Sequence, residues 1–375
     1  MQTFVISSES EWNSWRASWN ALTRANPMMS LEWLSAWWRQ FGAGQQLYIV
    51  AVESEGQLLG VLPCYLQQTL IGKQMRLLGS GAVCSDYIGA MVDGYRASEI
   101  YDSIHTHLLQ AAESGALRGI EAFHFEGVAS DDAWLQRLST FAEAAGYSLR
   151  TQSLANGWAI ALPSTWAELH QSQRGSGVHR KAKKCIARLQ SQELSLRQIN
   201  NPADLEEGMS HLVRLHQARR ESVGDAGCFA DPKFQFFLAD ALAGMLSENT
   251  ASFTLCEREG QVIGVQLLLL GSDSVFMYQS GVDPSYMSFE PGHMLVTGSL
   301  LYCIEHGYKA YDFLRGDEPY KAFWGAQPKT LQRIVLAPPT FKAQAIEVVQ
   351  RNLNWLKTCY SSFNSAASSP SPSAQ

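Results

Sequence analysis

Apolar and polar residues along the chain switch repeatedly between two periods, one typical of strands and one typical of helices. The clearest unit covers residues 275–321, where aromatic and β-branched runs predict strands at 275–282 and 309–314. Between them, apolar residues at helical spacing predict a helix that ends at Gly307. This order predicts a βαβ unit, in which ligands usually bind at the carboxyl ends of the strands, close to the helix N-terminus.

The chain also contains an internal repeat. The segment ESEGQLLGV from Glu53 resembles EREGQVIGV from Glu257, and each predicts a hairpin around a Glu-Gly turn. A helical stretch precedes each copy at the same offset, and a strand, a helix and a strand follow it. Chance similarity of short hairpins could explain one match, but four landmarks in the same order favour two similar α/β halves, residues 1–162 and 163–336. We expect a helix over 337–360 and a disordered Ser/Ala/Pro-rich tail over 361–375.

Composition narrows the class of protein. The 375 residues are 46% apolar and 17% charged, enough for a large core and two domains, and the net charge of −6 argues against binding to DNA. Apolar runs are too short to cross a membrane, and no signal peptide is visible. The seven cysteines are spread without metal-ligand spacing, which predicts reduced thiols, a cytoplasmic location and no metal site.

Two further segments carry candidate chemistry. The loop SGAVCSDYIG follows a predicted strand and contains Asp86 and Tyr87, which suit either a site or an Asx-type turn. A basic segment between the two halves suits either a phosphate-bearing ligand or a solvated face. Its cations are Arg180, Lys181, Lys183, Lys184 and Arg188, with Arg174 before them. No GxSxG, HExxH, GxxxxGK[ST] or GxGxxG motif supports a hydrolase, zinc, P-loop or dinucleotide site.

Motifs along residues 30–333 resemble those of one enzyme group. SLEWLSAWWRQFG, LLGVLPCYL, SDY, LHQARR, YQSGVDPSY, EPGHML and YDFLRGDEPYK are similar to signatures of the CelD/BcsL-type acetyltransferases of the GNAT superfamily, which are associated with cellulose and exopolysaccharide production. The group is also similar to the Fem-type aminoacyl transferases, which have two GNAT-like halves. The resemblance implies an α/β fold of two tandem GNAT-like halves, each a mixed sheet flanked by helices.

The resemblance also implies a place for the donor. In GNAT-type proteins a pantetheine arm lies along a splayed strand, and a pyrophosphate binds at the next helix N-terminus, where unpaired N–H groups suit an anion. The residues implied here are Tyr278, Gln279, Ser280, Gly281 and Val282, followed by Pro291, Gly292 and His293. The Q/R-x-x-G-x-G/A phosphate loop is absent, so an aminoacyl-tRNA or another activated donor stays open beside CoA. Lys183 and Lys184 are expected to supply phosphate contacts.

Acyl transfer needs a base for the acceptor and an acid for the departing thiolate. His216 has a suitable pKa for the base, although a lone helical histidine is often structural. Asp312 ends a parallel strand and is a second candidate base, while Tyr320 or Lys321 would protonate the thiolate. Asp86 would reach the same cleft from the first half. The alternative is a loop that is merely salt-bridged.

These observations predict an acyltransferase that moves an acyl group, foremost acetyl, from acyl-CoA to an amine or hydroxyl of a saccharide or small molecule. The pathway expected from the resemblance is exopolysaccharide or envelope biosynthesis. A Fem-like aminoacyl transferase, the one case with a tRNA partner, and a non-catalytic GNAT-fold ligand-binding or assembly protein are the alternatives.

Overall fold

The computed structural model describes residues 1–70, 72–172 and 176–340. Arg174, most of the predicted helix at 337–360 and the whole tail at 361–375 therefore lie outside the described residues. The predicted βαβ unit is confirmed, with strands and helix within one or two residues of the expected bounds.

Eleven helices are present in the described residues, joined by short 3₁₀ turns. They are α1 (Glu9–Ser14), α2 (Arg16–Thr23), α3 (Leu31–Phe41), α4 (Ala97–Ser114), α5 (Ala133–Ala144), α6 (Trp166–Ser172), α7 (Gly177–Gln190), α8 (Leu205–Glu221), α9 (Pro232–Ser247), α10 (Pro291–Glu305) and α11 (Pro319–Phe323). None of them is long and apolar enough to cross a bilayer.

The strands of the first half are β1 (Gln2–Ile6), β2 (Gln46–Ser54), β3 (Gln57–Thr69), β4 (Gly72–Leu77), β5 (Met91–Val92), β6 (Ile120–Ala129), β7 (Ser148–Ser153) and β8 (Gly157–Ala161). Those that follow are β9 (Ser195–Ile199), β10 (Ala251–Arg258), β11 (Gln261–Leu270), β12 (Ser274–Val282), β13 (Ala310–Arg315), β14 (Gln327–Lys329) and β15 (Leu331–Ala337).

The strands form two mixed sheets. The first has the order β1-β2-β3-β4-β6-β15-β7, with β5 added beside β3, and the second has the order β14-β8-β13-β12-β11-β10-β9. Each sheet is mostly antiparallel and contains one parallel pair, β4 with β6 and β12 with β13. The α/β fold with two mixed sheets flanked by helices is thus confirmed.

The internal repeat is visible in the backbone of the two hairpins. Both turns place Glu and Gly in the left-handed region, with φ of 55° and 78° at Glu55 and Gly56 and of 51° and 79° at Glu259 and Gly260. Such a turn matches the twist of the strands that it joins, which is why a Glu-Gly pair recurs there. Each hairpin also has a register shift just before the first Glu of the repeated segment, between Val52 and Glu53 in one copy and between Cys256 and Glu257 in the other.

The two halves exchange strands. β8 lies before residue 162 in the chain but joins the second sheet, where it pairs with β13 and β14. β15 comes from the end of the described chain and lies in the first sheet, between β6 and β7. The division between residues 162 and 163 stays a prediction, and each of the two sheets takes one strand from across it.

Helices α3 and α9, which occupy equivalent places in the two repeats, pack against each other. The ring of Trp33 meets Phe237 and Tyr278 edge to face, at centroid distances of 4.9 and 4.8 Å. One buried apolar cluster runs through this contact and includes residues of both sheets. Burial of this cluster holds the halves together, since apolar surface removed from water is the main favourable contribution to folding.

Candidate functional site

A gap opens between the parallel strands β12 and β13. In the described chain their pairing runs from Ser274 to Phe276 on β12 and ends there, opposite Asp312. β13 is paired with β8 from Ala310 onward, with a register shift between Asp312 and Arg315 that contains the left-handed backbone of Leu314, whose φ is 58°. Because the two strands part after three residues, the groove predicted from the sequence is present in the second half.

The equivalent place in the first half is filled by the chain itself. β4 stays paired with β6 as far as Arg76. Beyond that point the loop that contains Asp86 packs against β6, where the Tyr87 N–H donates to the Gly127 carbonyl at 2.7 Å. Gly127 lies so close to the Ser85 carbonyl that a side chain would not fit. The first half therefore lacks the opening that the second half has.

The gap in the second half leads into a cleft of about 560 Å³. Buried Met277, Val296 and Trp324 form an apolar wall, whereas Arg219 and Glu318 on the rim are exposed. The remaining lining residues are Gln266, Ser280, Gly281, Val282, Met287, Glu290, Pro291, Gly292, His293, Leu295 and Tyr320. An apolar cleft with a few polar groups is typical of a small-molecule site.

Helix α10 begins at this cleft without a side-chain cap. Its N-cap residue is Glu290, whose backbone is left-handed with φ of 58°. The Glu290 carbonyl accepts the amides of His293 and Met294 at 3.0 and 3.2 Å, and Pro291 has no N–H. Gly292 thus supplies an amide that no protein group accepts in the described part of the chain. A Cβ added to Gly292 would have only Val282 nearby, at 4.0 Å, so space for a ligand is open there.

Basic residues of α7 surround the carboxylate of Glu290. Lys181 and Lys184 both donate to it, Lys184 at 2.9 Å, and Arg188 lies 3.6 Å away. Burial opposes ionisation of this carboxyl group, but the hydrogen bonds from the two lysines outweigh it and lower the pKa of Glu290 to about 2. The predicted phosphate contact Lys184 therefore lies at the helix start, although it does not line the cleft. Lys183 is exposed. Its charge, after burial and the charge of His179, lowers the pKa of the His170 imidazole.

Lys321, predicted as an acid, is buried and faces its own loop. Its ammonium donates to the carbonyls of Leu314, Arg315 and Gly316 at 3.0 to 3.1 Å and pairs with Glu318 at 2.9 Å. A buried ammonium with four oxygen partners is well satisfied and does not line the cleft. These contacts favour a role in holding the turn that leads from β13 to α11.

Asp312 and Asp86 meet at the same turn from opposite halves. Asp312 accepts from the Tyr87 hydroxyl at 2.9 Å and from the Leu314 amide at 2.7 Å. Asp86 accepts from the Arg315 amide and guanidinium at 2.6 to 2.9 Å. Burial raises the pKa of Asp312 to about 6, against the hydrogen bonds from Leu314 and Tyr87. Both carboxylates lie behind the cleft and are absent from its lining.

His216 is also buried away from the cleft lining. Its Nδ1 lies 3.1 Å from the Gln217 amide oxygen and its Nε2 lies 3.7 Å from Cys228 Sγ. Burial lowers the pKa of this imidazole. The backbone of His216 packs on Gly281, where a Cβ would overlap it, so Gly281 allows α8 to lie on β12. Tyr278 serves a similar packing role, because its hydroxyl donates to the Val83 carbonyl at 2.8 Å and its ring contacts Trp33.

The structure thus gathers one part of the predicted set around the cleft and leaves another part outside it. Ser280, Gly281, Val282, Pro291, Gly292, His293 and Tyr320 line the cleft. Tyr278, Gln279, Lys183, Lys184, Asp86, Asp312, His216 and Lys321 do not. Gln266 and Trp324 also line it, and no signal in the sequence pointed to them. Arg219 lines it too and lies in the LHQARR motif, where an arginine suits either an anionic acceptor or pairing with surface acids.

Two cleft residues have the properties of a proton donor and a proton acceptor. Burial raises the pKa of the Tyr320 hydroxyl well above its usual value, so it stays protonated at neutral pH. Burial, followed by the nearby charge of Lys181, lowers the pKa of His293, so its imidazole is neutral. His293 lies against the rings of Phe323 and Trp324, at centroid distances of 5.6 and 5.7 Å. In the described residues no group of three or more His, Cys, Asp or Glu is placed to hold a metal ion.

Part of the chain matches a known protein family. Residues 176–322 match the family model described as an acetyltransferase (GNAT) domain. The matched segment contains β12, α10 and β13, and therefore both strands of the gap and the helix start. This part of the chain is therefore similar to GNAT acetyltransferase domains. Among curated proteins no sequence matches the chain significantly.

Solved structures with the same fold cover nearly the whole described chain. FemX has 12% identity and a TM-score of 0.64, with 88% of this chain and 97% of that chain covered. A conserved protein of unknown function from Bacteroides thetaiotaomicron has 9% identity and a TM-score of 0.55, with 89% and 100% covered. The C-terminal domain of a lysylphosphatidylglycerol synthetase from Agrobacterium fabrum has 12% identity and a TM-score of 0.52, with 91% and 96% covered. At these identities the similarity establishes the fold.

Lys321→Met tests whether the buried ammonium is structural. We expect the free energy of unfolding to fall by about 2 to 4 kcal/mol, because three carbonyls and Glu318 lose their partner. Chemical denaturation measures this change. Lys329→Met removes a half-exposed lysine beside the same turn and should cost less than about 1 kcal/mol. A Lys321→Met protein of unchanged stability but reduced turnover would instead favour the catalytic role.

Asp312→Asn tests the buried carboxyl group through pH. Because the pKa of Asp312 is raised in the folded state, its stabilising contribution is full below its unfolded pKa of about 4 and is lost as pH rises through about 6. Wild-type stability should therefore fall relative to Asp312→Asn between those values, by at most about 3 kcal/mol. Urea unfolding across this range measures the difference, with Asp131→Asn as an exposed control. A difference that moves in the opposite direction contradicts the assignment.

Proposed function

We propose that the protein transfers an acetyl group, or another acyl group, from acyl-CoA to an amine or hydroxyl of a saccharide or other small acceptor. The parting of β12 and β13 beside the uncapped start of α10 is the observation that carries this proposal. An extended pantetheine arm would fit along Ser280, Gly281 and Val282, where β12 still pairs with β11 but no longer with β13. The open Gly292 amide and the helix dipole suit the phosphates.

The reaction needs two proton movements, and the cleft contains a residue suited to the second. The acceptor nitrogen or oxygen attacks the thioester carbon, and the C–S bond then breaks. Solvent at the open rim of the cleft takes the proton that the acceptor loses, because His293 follows Gly292 at the phosphate end of the site. The Tyr320 hydroxyl gives its proton to the departing thiolate and regains one from solvent. Tyr320 thus replaces His216, Asp312 and Lys321 as the candidate closest to the reacting atoms.

The acceptor and the pathway that we propose rest on the sequence resemblance. Similarity to the CelD/BcsL-type proteins supports a saccharide or amino-sugar acceptor in cellulose, exopolysaccharide or envelope biosynthesis. Arg219 and Glu318 on the exposed rim offer one charge of each sign to such an acceptor. Nucleotide sugars and amino sugars are therefore the first acceptors to assay with acetyl-CoA.

A second candidate is aminoacyl transfer from a charged tRNA. Two observations favour it: Glu290 stands where GNAT proteins have a phosphate loop, and the exposed face of α7 is basic. The similarity to FemX supports a shared fold and carries no information about the donor. Turnover that requires aminoacyl-tRNA and ignores acyl-CoA would select this candidate. Ligand binding without any turnover would select a non-catalytic role.

Gly292→Val tests the donor site. The new side chain enters open space at the helix start, so we expect the affinity for acetyl-CoA to fall about tenfold or more while stability is kept. Titration calorimetry and thermal unfolding give the two quantities. Gly94→Val is the matched control, because a Cβ at Gly94 also meets no atom within 4 Å and lies in the first half. If Gly292→Val binds acetyl-CoA as tightly as wild type, the phosphates do not lie at this helix start.

Tyr320→Phe tests the proton donor. The ring keeps its edge contact with Phe313, at 5.7 Å between centroids, so the fold should be unaffected. We expect turnover to fall about a hundredfold or more, the usual contribution of a general acid, with little change in acetyl-CoA affinity. Steady-state kinetics and thermal unfolding measure both effects. Full turnover of Tyr320→Phe would contradict the assignment.

A further inference from the structure

The carboxylate of Glu290 lies in the place where the proposed donor would put its phosphates. It lines the cleft, belongs to the N-cap residue of α10, and is adjacent to the open amide of Gly292. Three cationic side chains of α7 surround it, although α7 lies more than a hundred residues earlier in the chain. Glu193 also pairs with Arg188, so two carboxylates face three cations and one positive charge is left in excess.

We propose that Glu290 is an internal counter-ion that occupies the anion subsite of the cleft and leaves it when a phosphate-bearing donor binds. This inference rests on the proposed acyl-CoA site and adds a residue that sets donor affinity and selectivity. The incoming group is a pyrophosphate or phosphate ester, because Lys181, Lys184 and the Gly292 amide together form a donor set suited to phosphate oxygens.

The local backbone supports an exchange of partners rather than a fixed structural bridge. Glu290 does not cap α10, because no side-chain hydrogen bond reaches the helix amides. The backbone of Glu290 lies in the left-handed region, which residues other than Gly, Asn and Asp rarely adopt. The side chain is half-buried at 22% exposure, so it can turn toward solvent without crossing the core.

The negative charge of Glu290 also affects which donors the cleft binds. While the carboxylate stays in place it repels an anion at the same amide and competes with it for the two lysines. A donor with several phosphate oxygens can bind both lysines in place of the carboxylate, whereas a neutral thioester such as acyl-pantetheine has no anionic group to bind them. Glu290 therefore lowers the affinity of the cleft for phosphate-bearing donors and leaves the affinity for a neutral thioester unchanged.

Glu290→Gln tests the inference by calorimetry with CoA, inorganic pyrophosphate and pantetheine. We expect the variant to bind CoA and pyrophosphate about tenfold more tightly than wild type at about 50 mM salt, with the gain shrinking at about 500 mM salt. Pantetheine affinity should not change. Glu193→Gln is the matched control, since Glu193 also pairs with Arg188, at 3.5 Å, but is absent from the cleft lining.

Further variants separate this inference from the proposed function. Lys181→Met with Lys184→Met should abolish pyrophosphate binding, and Lys183→Met should change it much less, because Lys183 is not paired with Glu290. Equal or weaker binding of CoA and pyrophosphate to Glu290→Gln overturns the inference, whatever the enzyme acylates. A gain for pyrophosphate in a protein that does not turn over acyl-CoA keeps the inference and overturns the proposed donor.

Discussion

The site depends on one constraint: backbone groups released where β13 leaves β12 must find new partners. A strand that stops pairing exposes amides and carbonyls, and burying them unpaired is costly. Here Asp312 accepts the Leu314 amide, Asp86 accepts the Arg315 amide, and Lys321 donates to the carbonyls of the same turn. These ionic side chains thus take the place of sheet partners for the backbone of the turn that follows β13.

This arrangement gives the two repeats different tasks. In the second half the loop after β12 leaves the gap free and leads into the helix start at Gly292. In the first half the loop with Asp86 and Tyr87 fills the equivalent gap and reaches across to Asp312 and Arg315. The first half thus supports the turn, and in the described residues the gap between parallel strands is open in the second half and filled in the first.

Local chemistry made much of this predictable from the sequence. The Glu-Gly turns, the start of α10 at Pro291 and the order of strands in the βαβ unit each depend on a few adjacent residues. Interactions between distant segments could not be read in the same way. Lys321 suggests catalysis by its position after a strand, and only the folded chain shows that it is buried among carbonyls. The partners of Glu290 lie on α7, which no local pattern connects to α10.

The exchange of β8 and β15 between the sheets also constrains how the protein is made. β7 pairs with β15 alone in the described chain, so the strand at 148–153 has no sheet partner until residues 331–337 have been synthesised. The first half therefore cannot complete its sheet while the ribosome is still translating the second. Long-range pairing of this kind slows folding and leaves an unpaired edge exposed for longer. Both halves must consequently reach their final form together, late in synthesis, as one cooperative unit.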